Sequence, residues 1–113
     1  MAGCIFFTDT RVWSSSSVGF ADIIERAAAK CRENEDLLVQ ALWDAESIRS
    51  LDINLCTTRS LQLRLTERVL EAAQDKLQEL CADAATHPDD IKILEELVLL
   101  ARTHLNGLTT SST

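Results

Sequence analysis

From residue 20 to residue 87 the chain contains neither glycine nor proline. Glycine occurs only at positions 3, 19 and 107 and proline only at 88, so more than half of the sequence lacks any strong backbone breaker. Alanine, leucine, glutamate, glutamine and arginine dominate that stretch, the residues that lose least on entering a helix. Long helices are the structure such a run builds most readily. At 113 residues the chain forms one domain, large enough to bury a core without disulfide or metal staples.

The first helix is expected after "SSSSVG" (14–19), with Ser17 as N-cap. Phe20, Ile23, Ile24, Ala27, Ala28 and Cys31 then recur at helical spacing. "CRENED" (31–36) interrupts the stripe, which resumes with Leu38, Ala41, Leu42, Ala45, Ile48 and Leu55. Either two helices join at Asn34, or one long or bent helix runs to about residue 54. The single helix is favoured, because a polar patch without a breaker reads as a solvated turn.

"DINLCTT" (52–58) is the turn of this half, since Asn54, Thr57 and Thr58 can bond their own backbone. A helix over about 58–86 follows, roughly 43 Å long at 1.5 Å per residue. Its main stripe is Leu63, Val69, Leu70, Ala73, Leu77, Leu80, Cys81 and Ala84, with Leu61 and Leu65 off that arc. "THPDD" (86–90) stops and restarts the chain. Pro88 suits the first position of the last helix, and Asp89 and Asp90 suit its positive end. Gly107 is expected as its C-cap, with 108–113 as a disordered tail.

That last helix carries "IKILEELVLLA" (91–101), eight of whose eleven residues are apolar. Ile91, Leu94, Val98, Ala101 and Leu105 form one stripe. Ile93, Leu97 and Leu100 form a second, rotated by about 100°. Together they span about half the circumference, where a helix on a single core shows roughly 100°. The second stripe needs something else to cover it.

Residues 1–17 pose the same question. Phe6, Phe7 and Trp13, with Phe20 just beyond, are four of the five aromatics. They sit on "CIFFTDTRVWSSSS", a flexible or docking arm whose aromatics are costly to leave in water. The arm is therefore buried on its own bundle, on a second copy or on a partner. The expected fold is all-α: a small bundle of three or four long helices (18–107) with an extended aromatic N-terminal arm, and no sheet beyond a possible short strand in that arm.

Composition narrows function by exclusion. The net charge of -7 and pI near 4.7 lack the basic footprint that nucleic acid demands, and disfavour anionic membranes. Apolar runs reach only five residues ("LVLLA", 97–101), too short to span a bilayer. Cys4, Cys31, Cys56 and Cys81 form no CxxC. With no export signal evident, reduced thiols in the cytoplasm are expected. His87 and His104 lie 17 residues apart and belong to no metal-ligand spacing. No glycine-rich loop, nucleophile constellation or calcium-loop pattern occurs. Asp22 and Arg26 suit an i,i+4 pair, and Arg59, Arg64 and Arg68 an ion-pair rim. No enzyme, cofactor or metal is expected.

The apolar surplus then reads as an interface, on a homodimer, a hetero-complex or both, and self-association as a two-fold dimer is expected. Its expected contact residues are Phe6, Phe7, Trp13, Leu61, Leu65, Ile93, Leu97 and Leu100. The competing reading is a tightly wrapped monomer that buries every face internally.

Taken whole, from "MAGCIFFTDTRVW" through "SLDINLCTTRSLQLRLTERVLEAAQDKLQEL" to the last helix, the chain resembles quorum-sensing anti-activators of the QslA type. No short motif carries the likeness, so no functional residue is carried over. The resemblance implies binding to the ligand-binding domain of a LuxR-type transcription regulator such as LasR. It also implies blocking of the dimerisation by which such regulators grip two DNA half-sites. An immunity protein or antitoxin that plugs a toxin, or a small secretion chaperone, are the alternatives.

Overall fold

The computed structural model describes residues 2–55, 58–83, 85 and 88–110. The chain is not all-α. Strands β1 (Ala2–Phe6) and β2 (Val12–Ser16) precede helices α1 (Ser17–Lys30) and α2 (Asp36–Ile48). Strand β3 (Ser50–Asp52), a single 3-10 turn (Ile53–Leu55), α3 (Arg59–Ala82) and α4 (Pro88–Thr110) follow. The three strands form one mixed sheet in the order β2-β1-β3, with β1 antiparallel to β2 and parallel to β3.

The aromatic arm is therefore a hairpin. Gly3, Ile5 and Phe7 point inward and alternate with half-exposed neighbours, the period of a strand. Its turn uses no glycine: the Thr8 hydroxyl accepts the Thr10 and Arg11 amides, and the Phe7 amide donates to the Arg11 carbonyl. Gly3 serves packing, since a Cβ there would come within 2.2 Å of the Phe20 ring. That close approach seats β1 on α1.

The single helix expected over 20–54 is two, and the polar patch between them, exposed at Arg32, Glu33, Asn34 and Asp36, turns one residue inward. Glu35 is buried, and its carboxylate accepts the Arg32 amide at 2.8 Å and the Arg68 Nε–H at 3.1 Å. The segment turns inward to bury an ion pair, which breaks the helix without glycine or proline. α2 then ends on Arg49, the one non-glycine residue with positive φ (59°) among the described residues. This left-handed cap, usually glycine, redirects the chain into β3, where Leu51 and then Ile53 bury.

The boundaries of the other helices shift for local reasons. Ser16 rather than Ser17 caps α1, its hydroxyl accepting the Gly19 amide. Thr58 caps α3 through the Leu61 amide. α3 stops at Ala82 and not near 86, about 36 Å long at 1.5 Å per residue. α4 runs through Gly107, which is not in the left-handed region, so the expected cap and the start of the tail both move. Pro88 does open α4, with Asp89 and Asp90 in its first turn.

α3 is central, with α4 packed on one side, α1 on another and α2 touching it lightly. The core joins Ile5, Phe7 and Trp13 of the hairpin to Phe20, Ile23, Leu38, Leu42, Leu65, Val69, Leu94 and Leu97 of the helices.

Candidate protein-docking surface

The surplus apolar face of α4 and the aromatic arm cover each other. The Trp13 indole N–H donates to the Ile93 carbonyl at 2.9 Å, and the Phe7 ring lies 5.6 Å from that of His104. Ile93, Leu97, Leu100 and His104 share one side of α4 by helical spacing, so the hairpin lies along the second stripe. Accordingly Phe7, Trp13, Leu65 and Leu97 are buried in the core. Four of the eight expected contact residues are thus unavailable on the free chain. Phe6, Leu61 and Leu100 are half-buried, and Ile93 remains 38% exposed.

Ile93 borders a groove of about 380 Å³ with Trp13, Val18, Leu80, Leu94 and Lys76. The Lys76 ammonium is already held by Asp22 at 2.6 Å. The larger exposed apolar side chains lie elsewhere. Val18, 79% exposed, stands alone on α1, and Leu99, 65% exposed, lies about 120° around α4 from Ile93. Leu37 (76%), Ile48 (73%) and Trp43 (47%) share one short helix, α2.

The geometry of α2 explains why it keeps them. Leu38, Leu42 and Ala45 face inward and fix the helix. At 100° per residue Leu37 and Ile48 fall within about 20° of each other on one flank, with half-buried Ala41 beside them. Trp43 lies on the opposite flank. Leu37 also meets Leu61 and Arg64 across a cavity of about 230 Å³ between α2 and the start of α3. Leu61 is the one expected contact residue that the fold joins to this surface. Helical spacing assigns Ile48 to the core stripe and singles out neither Leu37 nor Trp43. The available signal was "LLVQALW", where apolar residues outnumber what one inward face uses, and the fifth aromatic outside the arm.

Charge divides the molecule in the same way. Where α1 meets α3, Arg26 pairs with Asp22, Asp75 and Glu79, and Lys30 with Asp75. Arg68, expected at a rim, is buried between Glu35 and Glu71. Burial alone would raise the Glu35 carboxyl, but the Arg32 amide and the Arg68 guanidinium hold it below the usual carboxylate range. Burial opposes Asp22 likewise, and Lys76 and Arg26 prevail to lower it. Around α2, by contrast, Glu33, Asp36, Asp44 and Glu46 make no ion pair among the described residues; Asp44 only accepts from Gln40.

Burial, then the Glu35 charge, push the Cys31 thiol upward, away from the reactive thiolate. Among the described residues no group of three His, Cys, Asp or Glu is placed to hold a metal ion, and no helix is long and apolar enough to cross a membrane. His87 and Cys56 lie outside the described residues. Comparison with known proteins adds no relative: no family model, no curated protein and no solved structure matches the chain.

Proposed function

We propose that this chain is a non-catalytic protein-binding module, acting in the cytoplasm, that presents the outer face of α2 to a partner protein. The observation carrying this reading is the exposure of Leu37, Trp43 and Ile48 on one helix whose inner face is fully packed. Complete burial of such a side chain contributes about 1.5–3 kcal/mol. A fold that leaves three of them on one helix holds back a docking surface.

Within that reading the resemblance supplies the partner: the ligand-binding domain of a LuxR-type regulator, whose dimerisation the bound chain blocks. An acidic inhibitor of this kind needs no grip on DNA, because the regulator loses its own. The test mixes the purified chain with a LasR-like regulator and its promoter DNA. The chain should form a complex with the regulator and abolish the DNA shift, while a Leu37→Ser/Ile48→Ser variant of unchanged helicity should do neither. A regulator that binds DNA equally well in excess chain would refute this partner.

The unpaired carboxylates around α2 favour one second reading, an immunity protein that plugs a basic toxin site. Substitution separates the two, because Leu37→Ser/Ile48→Ser removes the anchors of an apolar contact but leaves the carboxylates of an acidic plug in place.

A further inference from the structure

Building on that protein-binding reading, we infer the chemistry of what α2 receives: a partner surface with an apolar row flanked by lysine or arginine, and not a second copy of this chain. The argument is one of placement. At 100° per residue Asp36 lies about 20° from Trp43, and Asp44 lies about 20° from Leu37. Each apolar flank of α2 thus has a carboxylate at its side. Glu33 precedes the helix and Glu46 lies within it, so four acids stand on or beside the helix that carries the three exposed apolar side chains.

Like Glu95 and Glu96 on α4, these acids are unpaired among the described residues, and they differ from those held between the packed helices. Asp22, Glu35, Glu71, Asp75 and Glu79 each have an arginine or lysine partner within the chain, whereas the four around α2 have none among the described residues. Arg32 and Arg49 stand near the two ends of α2 and Arg64 lines the cavity beside Leu37, but none of the three pairs with Asp36 or Asp44 among the described residues. A second copy docked face to face would set carboxylate against carboxylate, which is destabilising and repels on approach. A partner carrying lysine or arginine beside its apolar row turns the same groups into attractive contacts and adds specificity.

Two synthetic amphipathic helices with the same leucine row test this, one flanked by lysine and the other by glutamate. Trp43 is a built-in reporter, because it is half-exposed while Trp13 is buried. The lysine-flanked peptide should bind saturably with a blue shift of tryptophan emission, and the glutamate-flanked one should not. Asp36→Asn/Asp44→Asn should weaken binding by about threefold to tenfold, and Leu37→Ser/Ile48→Ser by at least about tenfold. Glu95→Gln/Glu96→Gln, on the exposed side of α4, should leave it unchanged.

Equal binding of both peptides, or indifference to the Asp36 and Asp44 substitutions, overturns the charge inference. A concentration-dependent dimer that Ile48→Ser dissolves also overturns it, by making a second copy the occupant. If the regulator still binds through Leu37 and Ile48 in either case, the protein-binding reading survives. If the Leu37→Ser/Ile48→Ser variant binds regulator and peptide as the unaltered chain does, both fall.

Discussion

The Trp13 indole N–H donates to the main-chain carbonyl of Ile93 at 2.9 Å, joining residues eighty positions apart. The bond ties the second residue of β2 to the first turns of α4 and fixes how the hairpin lies along that helix. Trp13→Phe keeps an aromatic ring but removes the donor and some volume. It should cost about 1–3 kcal/mol in urea unfolding. An unchanged midpoint would mean that the hairpin contributes nothing to the docking of α4.

Leu97 and Leu99 separate core from surface on a single turn of α4. Leu97 is fully buried and Leu99 is 65% exposed. Leu97→Ala should therefore destabilise by about 2–5 kcal/mol, and Leu99→Ala by no more than about 0.5 kcal/mol. Paired thermal melts decide it, and comparable losses from the two would misplace the face that α4 buries.

The ion pair at the α1–α2 junction gives a third expectation. Glu35 and Arg68 are both buried, so removing Glu35 leaves the Arg68 guanidinium only the more exposed carboxylates of Glu67 and Glu71. Glu35→Ala should cost about 3–5 kcal/mol, while Glu35→Leu/Arg68→Met should recover much of that loss. Chemical denaturation of the three variants reads both effects. A double variant no better than the single one would show that the pair's geometry, and not its charge, holds the junction.

Stability should fall with acid in two separate windows. Burial, and then Arg11, depress the His104 imidazole, whose Nε2 is buried with no hydrogen-bond partner among the described residues. A depressed base is neutral in both states above its unfolded value, about 6.5. Below that value the unfolded chain takes the proton first, so stability declines until the folded value is passed. Glu35 and Asp22 are depressed acids. Their contribution is complete above the unfolded carboxylate values, near 4, and is lost as pH falls through the folded ones. Unfolding free energy followed against pH should show both declines, and His104→Leu should remove only the upper one. An upper decline that persists in that variant would assign it to another group.

Much of the helical skeleton was legible because it rests on local signals. Pro88 with two aspartates opens α4, and the breaker-free run holds α3. The sheet was not legible, because its devices are tertiary. Thr8 turns the hairpin where glycine or asparagine would have announced it, and Arg49 adopts a left-handed cap that no composition rule expects. Three residues of β3 then pair in parallel with a strand more than forty positions away. Glu35 reads as surface charge until Arg68, far along the chain, is brought to it. The same limit governed the candidate surface. The surplus on α4 was visible, but not that the arm would cover it, and so neither was the transfer of the free apolar face to α2.

Hydroxyl-radical footprinting of the free chain tests this exchange of faces most directly, since it reports side-chain exposure residue by residue. Leu37, Trp43 and Ile48 should label readily, while Phe7, Trp13 and Leu97 stay protected until the protein unfolds. Labelling of Phe7 and Trp13 at the rate of Trp43 would contradict the account, placing the aromatic arm in solvent and returning the open apolar face to α4.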